Sequence, residues 1–125
     1  MTLDVAALER ATYAAVPPRQ LLELPGWLVG LDDGTVGRAH SAVPLRHDAT
    51  AVNGIDAVLE AFASAGREPV VRVPSTASLE AVRARLEAAG LRAGKPTLVM
   101  SGSSAGLASL ASHWPLELSR EPGDD

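Results

Sequence analysis

Gly26-Trp27-Leu28-Val29-Gly30-Leu31-Asp32-Asp33-Gly34-Thr35-Val36-Gly37-Arg38-Ala39-His40-Ser41-Ala42-Val43-Pro44 is the stretch whose reading decides the fold. Trp27, Val29 and Leu31 recur with period two, the spacing of side chains that share one face of a strand. Asp32-Asp33-Gly34-Thr35 then supplies turn chemistry, with Gly34 free to take a positive φ. A hairpin follows from this, with its second strand over residues 36–43. In that strand Val36, Arg38, His40 and Ala42 share one face; Gly37, Ala39, Ser41 and Val43 share the other. Pro44 has no N–H to donate and ends the pairing.

Upstream of the hairpin, residues 3–16 read as a helix capped by Thr2 or Asp4 and stopped by Pro17-Pro18. Leu3, Ala7, Leu8, Ala11 and Ala15 form its expected apolar stripe. Residues 19–24 fit a second short helix or none, ended by Pro25-Gly26. Downstream, Ile55, Val58, Leu59 and Phe62 follow helical spacing, which predicts a helix over residues 53–65 capped by Asn53 and closed by Gly66. Residues 70–73 read as a short buried strand, so strand, helix and strand make a parallel βαβ unit. Leu79, Val82, Leu86 and Ala89 place a third helix from Ser78 to Gly90, with Arg83 and Glu87 paired on its wet side. Thr97-Leu98-Val99-Met100 marks a last strand within residues 95–101.

A chain of 125 residues with 46% hydrophobic content supports one packed core. Only four rings contribute to it: Tyr13, Trp27, Phe62 and Trp114. The charge is −4 and the pI about 5.3, which leaves no basic field for non-specific nucleic-acid binding. Cysteine is absent, which excludes disulfides, thiolate metal sites and a cysteine nucleophile. With no apolar run near 18 residues and no basic leader, the expected setting is the cytoplasm, away from membranes. Residues 1–101 are expected to form one domain, and residues 102–125 a linker and tail.

Three sets of residues invite chemistry. Gly102-Ser103-Ser104-Ala105-Gly106 fits the G-x-S-x-G pattern of a serine hydrolase elbow with Ser104 as nucleophile. Only His113 and the tail acids follow it, so a Gly/Ser linker is the stronger reading. His40, His47 and Asp48 lack metal-ligand spacing, and no metal is expected. Arg38 on a strand face offers a grip on an anion, and Arg46 can steer one toward a helix start at Asn53-Gly54.

Gly26-Trp27-Leu28, Asp33-Gly34 and Arg38-Ala39-His40-Ser41-Ala42-Val43-Pro44-Leu45 together resemble the N-terminal half of tandem GNAT acyltransferases, where a G-W strand leads to R-A-N-S-V-x-P-L. The likeness extends over about residues 3–101, through Ile55 to Phe62, Pro69 to Val73, Leu79 to Gly90 and Pro96 to Met100. It implies an α/β fold, a GNAT-like mixed sheet flanked by helices. It also implies where acetyl-CoA would bind, at a glycine-rich loop ahead of a helix. Here that position reads Arg46-His47-Asp48-Ala49-Thr50-Ala51-Val52-Asn53-Gly54, with one glycine and an acid. His40 stands where the family has Asn, and Ala42 where it has Val.

The resulting expectation is a non-catalytic structural or substrate-side half of a two-domain acetyltransferase, with no cofactor of its own. The alternative is a small stand-alone N-acetyltransferase. It would use acetyl-CoA held near Ala42, Val43, Arg46, Asn53 and Gly54, with His40 as candidate base and Arg38 and His40 along the substrate groove. Leu107, Leu110, Trp114, Leu116 and Leu118 form an apolar set expected to pack on a partner, a second copy or a catalytic GNAT half.

Overall fold

The computed structural model describes residues 4–100 and 102–109. The backbone divides into two compact units, Met1–Gly94 and Lys95–Asp125. The first holds every strand and α-helix described below, in the order α1 (Val5–Ala15), β1 (Gln20–Leu24), β2 (Trp27–Leu31), β3 (Ala42–Pro44), α2 (Ile55–Ser64) and α3 (Glu80–Ala88).

The tight hairpin lies one turn earlier than the sequence suggests. Residues 20–24 are a strand, not a helix, and pair antiparallel with β2 in the register Gln20 opposite Leu31 to Leu24 opposite Trp27. Pro25-Gly26 makes the reversal. Gly26 takes φ +77°, the left-handed value that a type II turn asks of its third residue, with proline before it. Leu22 and Leu24 are half-buried while Leu21 and Glu23 are exposed, so β1 is an edge strand with one apolar side.

β2 is buried along its whole length and pairs antiparallel with β3 on its other side, giving the order β1-β2-β3. The expected second strand over residues 36–43 shrinks to residues 42–44. Residues 32–41 form a loop that satisfies its own polar groups. Asp32 accepts from the N–H groups of Gly34 and Arg19, each at 3.0 Å, and the Ser41 hydroxyl donates to the Arg38 carbonyl at 2.8 Å. An aspartate that binds the N–H two residues on bends the chain without needing a partner strand.

The parallel connection is present. Ala42 N–H donates to Val70 O at 2.8 Å and Arg72 N–H to Ala42 O at 2.9 Å, pairing Ala42 with Val71 in parallel. The result is a small α/β domain with a three-stranded antiparallel sheet and one parallel bridge at its far edge.

Period two sorts β2 between two cores. Trp27, Val29 and Leu31 join Ala42, Ile55, Val58, Phe62, Leu79, Val82 and Leu86 in the larger one. Leu28 joins Val43 and Tyr13 in the smaller one, beneath α1. Helices therefore cover both faces, as the strand–helix pattern predicts. The stripe expected on α1 is corrected, however: Ala7, Leu8, Ala11 and Ala15 are exposed, and Leu3 lies outside the described residues. Tyr13 sets the inward face instead, because its hydroxyl donates to the Ser41 carbonyl at 2.5 Å. Asp4, not Thr2, caps the helix through the Ala7 N–H at 3.1 Å.

Before α2 the chain makes a 3-10 turn over Ala49–Gly54. The cap of this helical run is consequently Asp48, not Asn53, and Gly54 gives α2 no side-chain cap. Gly66 closes α2 at φ +68°, the αL position that glycine adopts without strain. Arg83 pairs with Glu80, three residues before it, instead of Glu87. Its guanidinium also donates to Pro74 O at 2.9 Å and Thr76 O at 3.0 Å, tying the loop ahead of α3 to the helix.

In the second unit, residues 95–100 are irregular, not the strand expected there, and Leu98, Val99 and Met100 are exposed. A 3-10 turn covers Ser104–Ser109. Leu110, Trp114, Leu116 and Leu118 lie outside the described residues, as does the side chain of Leu107. Among the described residues no helix is long and apolar enough to cross a membrane.

Candidate functional site

Arg46, Asn53 and Gly54 do come together. With Pro25, Gly26 and Thr50 they line an open hollow of about 320 Å³ at the mouth of the β1–β2 turn. The helical run over residues 49–64 begins here, so its first N–H groups are the donors an anion would seek. Asp48 already takes one of them: its Oδ1 accepts from the Thr50 N–H at 2.8 Å and also from the Thr50 hydroxyl. The Thr50 hydroxyl and then the Thr50 N–H hold the Asp48 carboxyl below the usual carboxylate range; burial opposes them, and the nearby Arg46 guanidinium adds a lesser lowering. Arg46 Nε lies 3.4 Å from Asp48 Oδ2, so the guanidinium that would steer an anion faces a resident acid. A pyrophosphate placed there would displace or repel that carboxylate. The donor set does not fit the phosphates of acetyl-CoA.

Gly54 has a packing role. A Cβ at this position would overlap Trp27 Cδ1 and stand 2.7 Å from Trp27 Nε1. The indole lies flush against the backbone and donates from Nε1 to the Ala51 carbonyl at 2.9 Å. The glycine thus lets the largest side chain of the core reach its only polar partner, a requirement visible in the sequence only as a lone glycine.

Ala42 and Val43, expected beside acetyl-CoA, are held inside the sheet. Ala42 N–H serves Val70 O. Gly30 N–H donates to Ser41 O and Leu45 N–H to Gly26 O, which leaves Leu28 and Val43 as the intervening hydrogen-bonded pair of the antiparallel ladder.

His40 and Arg38 do not form a strand face. Arg38 sits exposed in the turn over residues 37–39. His40 is half-buried, its ring edge-on to Phe62 with centroids 5.4 Å apart. Asp32 N–H donates to its Nδ1 at 3.2 Å. An acceptor at Nδ1 fixes the tautomer with hydrogen on Nε2, which faces Glu68 O at 3.3 Å. Both ring nitrogens are committed to backbone groups, so His40 ties the loop to the segment after α2.

Arg72, absent from the candidates drawn from the sequence, anchors a polar cluster on the α1 side of the sheet. Its Nε donates to Ser41 Oγ at 2.9 Å, its Nη1 reaches Glu9 Oε2 at 3.3 Å, and its guanidinium lies 5.5 Å from the centroid of the Tyr13 ring. The i, i+4 pair Glu9 and Tyr13 on an otherwise alanine-rich helix was the available signal.

Ser104 opens a 3-10 turn preceded by irregular backbone, not the strand an elbow requires, and His113 lies outside the described residues. Among the described residues no group of three or more His, Asp and Glu side chains could hold a metal ion.

No curated protein and no solved structure matches this chain. A family model does, across residues 2–125, under the description Probable histone acetyltransferase Rv0428c C-terminal. That description takes its region from the C-terminal part of the named protein, whereas the resemblance drawn above implies the first half of a tandem enzyme. The match spans nearly the whole chain, and the chain belongs to this acetyltransferase-related family.

Proposed function

We propose that this chain is the non-catalytic half of a GNAT-type N-acetyltransferase, a GNAT-like body that packs beside an acyl-CoA-binding half and contributes structure and a substrate-side wall. One observation carries the reading: at the start of the helical run over residues 49–64, the Asp48 carboxylate stands where a pyrophosphate would, accepting from the Thr50 N–H. The engaged N–H of Ala42 and the contact of Gly54 with Trp27 support it. In this reading the chain binds no cofactor alone, and its partner is a catalytic GNAT half that covers Leu107, Leu110, Trp114, Leu116 and Leu118. The setting is cytoplasmic, away from membranes and nucleic acid.

The alternative, a small stand-alone acetyltransferase, draws support from the hollow that Arg46, Asn53 and Gly54 share. Acetyl transfer to an amine decides between them. The family description names a histone acetyltransferase, so a lysine-bearing basic peptide is the acceptor to try first. Incubated with acetyl-CoA and that peptide, the chain alone should release thiol at the background rate. Release well above background, abolished by Arg46→Ala or His40→Ala, would favour the alternative.

A further inference from the structure

The hollow between the β1–β2 turn and the helical run does not suit a pyrophosphate, yet it keeps unused hydrogen-bonding groups. The Asn53 side chain is exposed and makes no hydrogen bond among the described residues. Arg46 turns its Nε toward Asp48 at 3.4 Å, which leaves its two Nη groups to donate elsewhere. Leu24, Pro25, Ala51 and Ala57 supply the apolar lining beside them.

The chemistry of the lining narrows the ligand. Arg46 and Asp48 balance each other, so the rim offers polarity without net charge. Asn53 presents an acceptor, Oδ1, beside a donor, Nδ2. A residue of an extended peptide points its own N–H and C=O to the same side, the complement of that pair. The volume of about 320 Å³ is at the low end for small-ligand sites, with room for roughly one or two small residues. A nucleobase finds nothing to stack on, because no aromatic ring among the described residues lines the hollow. The chain's charge of −4 also repels a polyanion.

We infer that this hollow binds an uncharged, extended stretch of peptide through its backbone. Asn53 pairs with the N–H and C=O of one residue, Arg46 donates to a neighbouring carbonyl, and a small apolar side chain rests against Leu24, Pro25 and Ala57. This rests on the substrate-side reading above, in which the stretch is the part of an acceptor chain next to its amine. Binding itself needs neither acetyl-CoA nor a catalytic half.

Nitrogen-15 NMR of the intact chain, titrated with a tri-alanine peptide blocked at both ends, tests it. The amides of Gly26, Thr50, Asn53 and Gly54 should shift and saturate, with a dissociation constant of about 1 mM. The Trp27 indole N–H, bonded to the Ala51 carbonyl at 2.9 Å, should shift with them. Asn53→Ala should weaken binding about tenfold, the worth of two neutral hydrogen bonds, with an unchanged far-UV spectrum. Methylating every alanine nitrogen of the peptide removes the N–H groups that Asn53 Oδ1 accepts and should weaken binding to the parent chain as much. Shifts that never saturate up to about 20 mM peptide, or binding undiminished by either change, overturn the proposal and leave the non-catalytic reading standing. Saturation of the same amides by pyrophosphate overturns both, because Asp48 would then not exclude an anion.

Discussion

Replacing Trp27 with alanine should cost about 4 kcal/mol of unfolding free energy, the range found when a buried tryptophan is truncated in a packed core. Trp27 is 1% exposed and the largest of the fully buried side chains. It contacts the sheet-facing sides of the helical run, and Gly54 exists as a glycine to admit it. Truncation opens a cavity and also strands the Ala51 carbonyl, which accepts from Nε1 at 2.9 Å. Small domains are stable by about 5–15 kcal/mol, so this single change removes a large share. Trp27→Phe separates the two contributions. It keeps most of the ring and loses the donor, with an expected cost of about 2 kcal/mol. Urea unfolding followed by far-UV circular dichroism measures both; a Trp27→Ala loss under about 1 kcal/mol would mean that the indole is not packed as described.

The second large effect is expected at Gly30. A Cβ there would overlap the Ala39 carbonyl oxygen and stand 2.8 Å from Tyr13 Cε1. The first obstacle is backbone and cannot rotate away. Gly30→Ala must push the loop over residues 32–41 off the sheet. That move lengthens both the Gly30 N–H to Ser41 O bond, now 2.8 Å, and the Tyr13 hydroxyl bond to the same carbonyl. A loss of about 3 kcal/mol follows, at the upper end of what overpacking costs. Gly37→Ala is the internal control, because a Cβ there meets nothing within 4 Å. It should stay within about 0.5 kcal/mol of the parent. Equal effects at the two glycines would contradict the packing of α1 over β2.

The alternation of Trp27, Val29 and Leu31 was readable because a strand buried on both faces still sorts its neighbours between two cores. Ile55, Val58, Leu59 and Phe62 were readable because four apolar residues at helical spacing admit one face only. Residues 20–24 were not. Five residues with three leucines satisfy helical and strand periods alike, and only the pairing with β2 selects the strand. Pro25-Gly26 carried the turn signal, but a proline–glycine pair also ends helices. Residues 36–41 misled for the opposite reason: alternation on paper, with Asp32 and Ser41 satisfying the loop locally so that the ladder begins only at Ala42.

At the candidate site, sequence spacing brought Arg46, Asn53 and Gly54 to one hollow. It did not reveal the 3-10 turn over Ala49–Gly54, which moves the start of the helical run back to Asp48. Nor did it reveal that Gly54 answers to Trp27. The commitment of both His40 nitrogens depends on a loop closing onto the end of α2, a contact between residues far apart in sequence.

The central claim is that Asp48 fills the place of the phosphates, and calorimetric titration of the intact chain with acetyl-CoA tests it most directly. A dissociation constant of about 1 mM or weaker, roughly 4 kcal/mol, is the predicted result. A micromolar constant that is lost in Arg46→Ala and Asn53→Ala, both changes at exposed side chains lining the hollow, would contradict it.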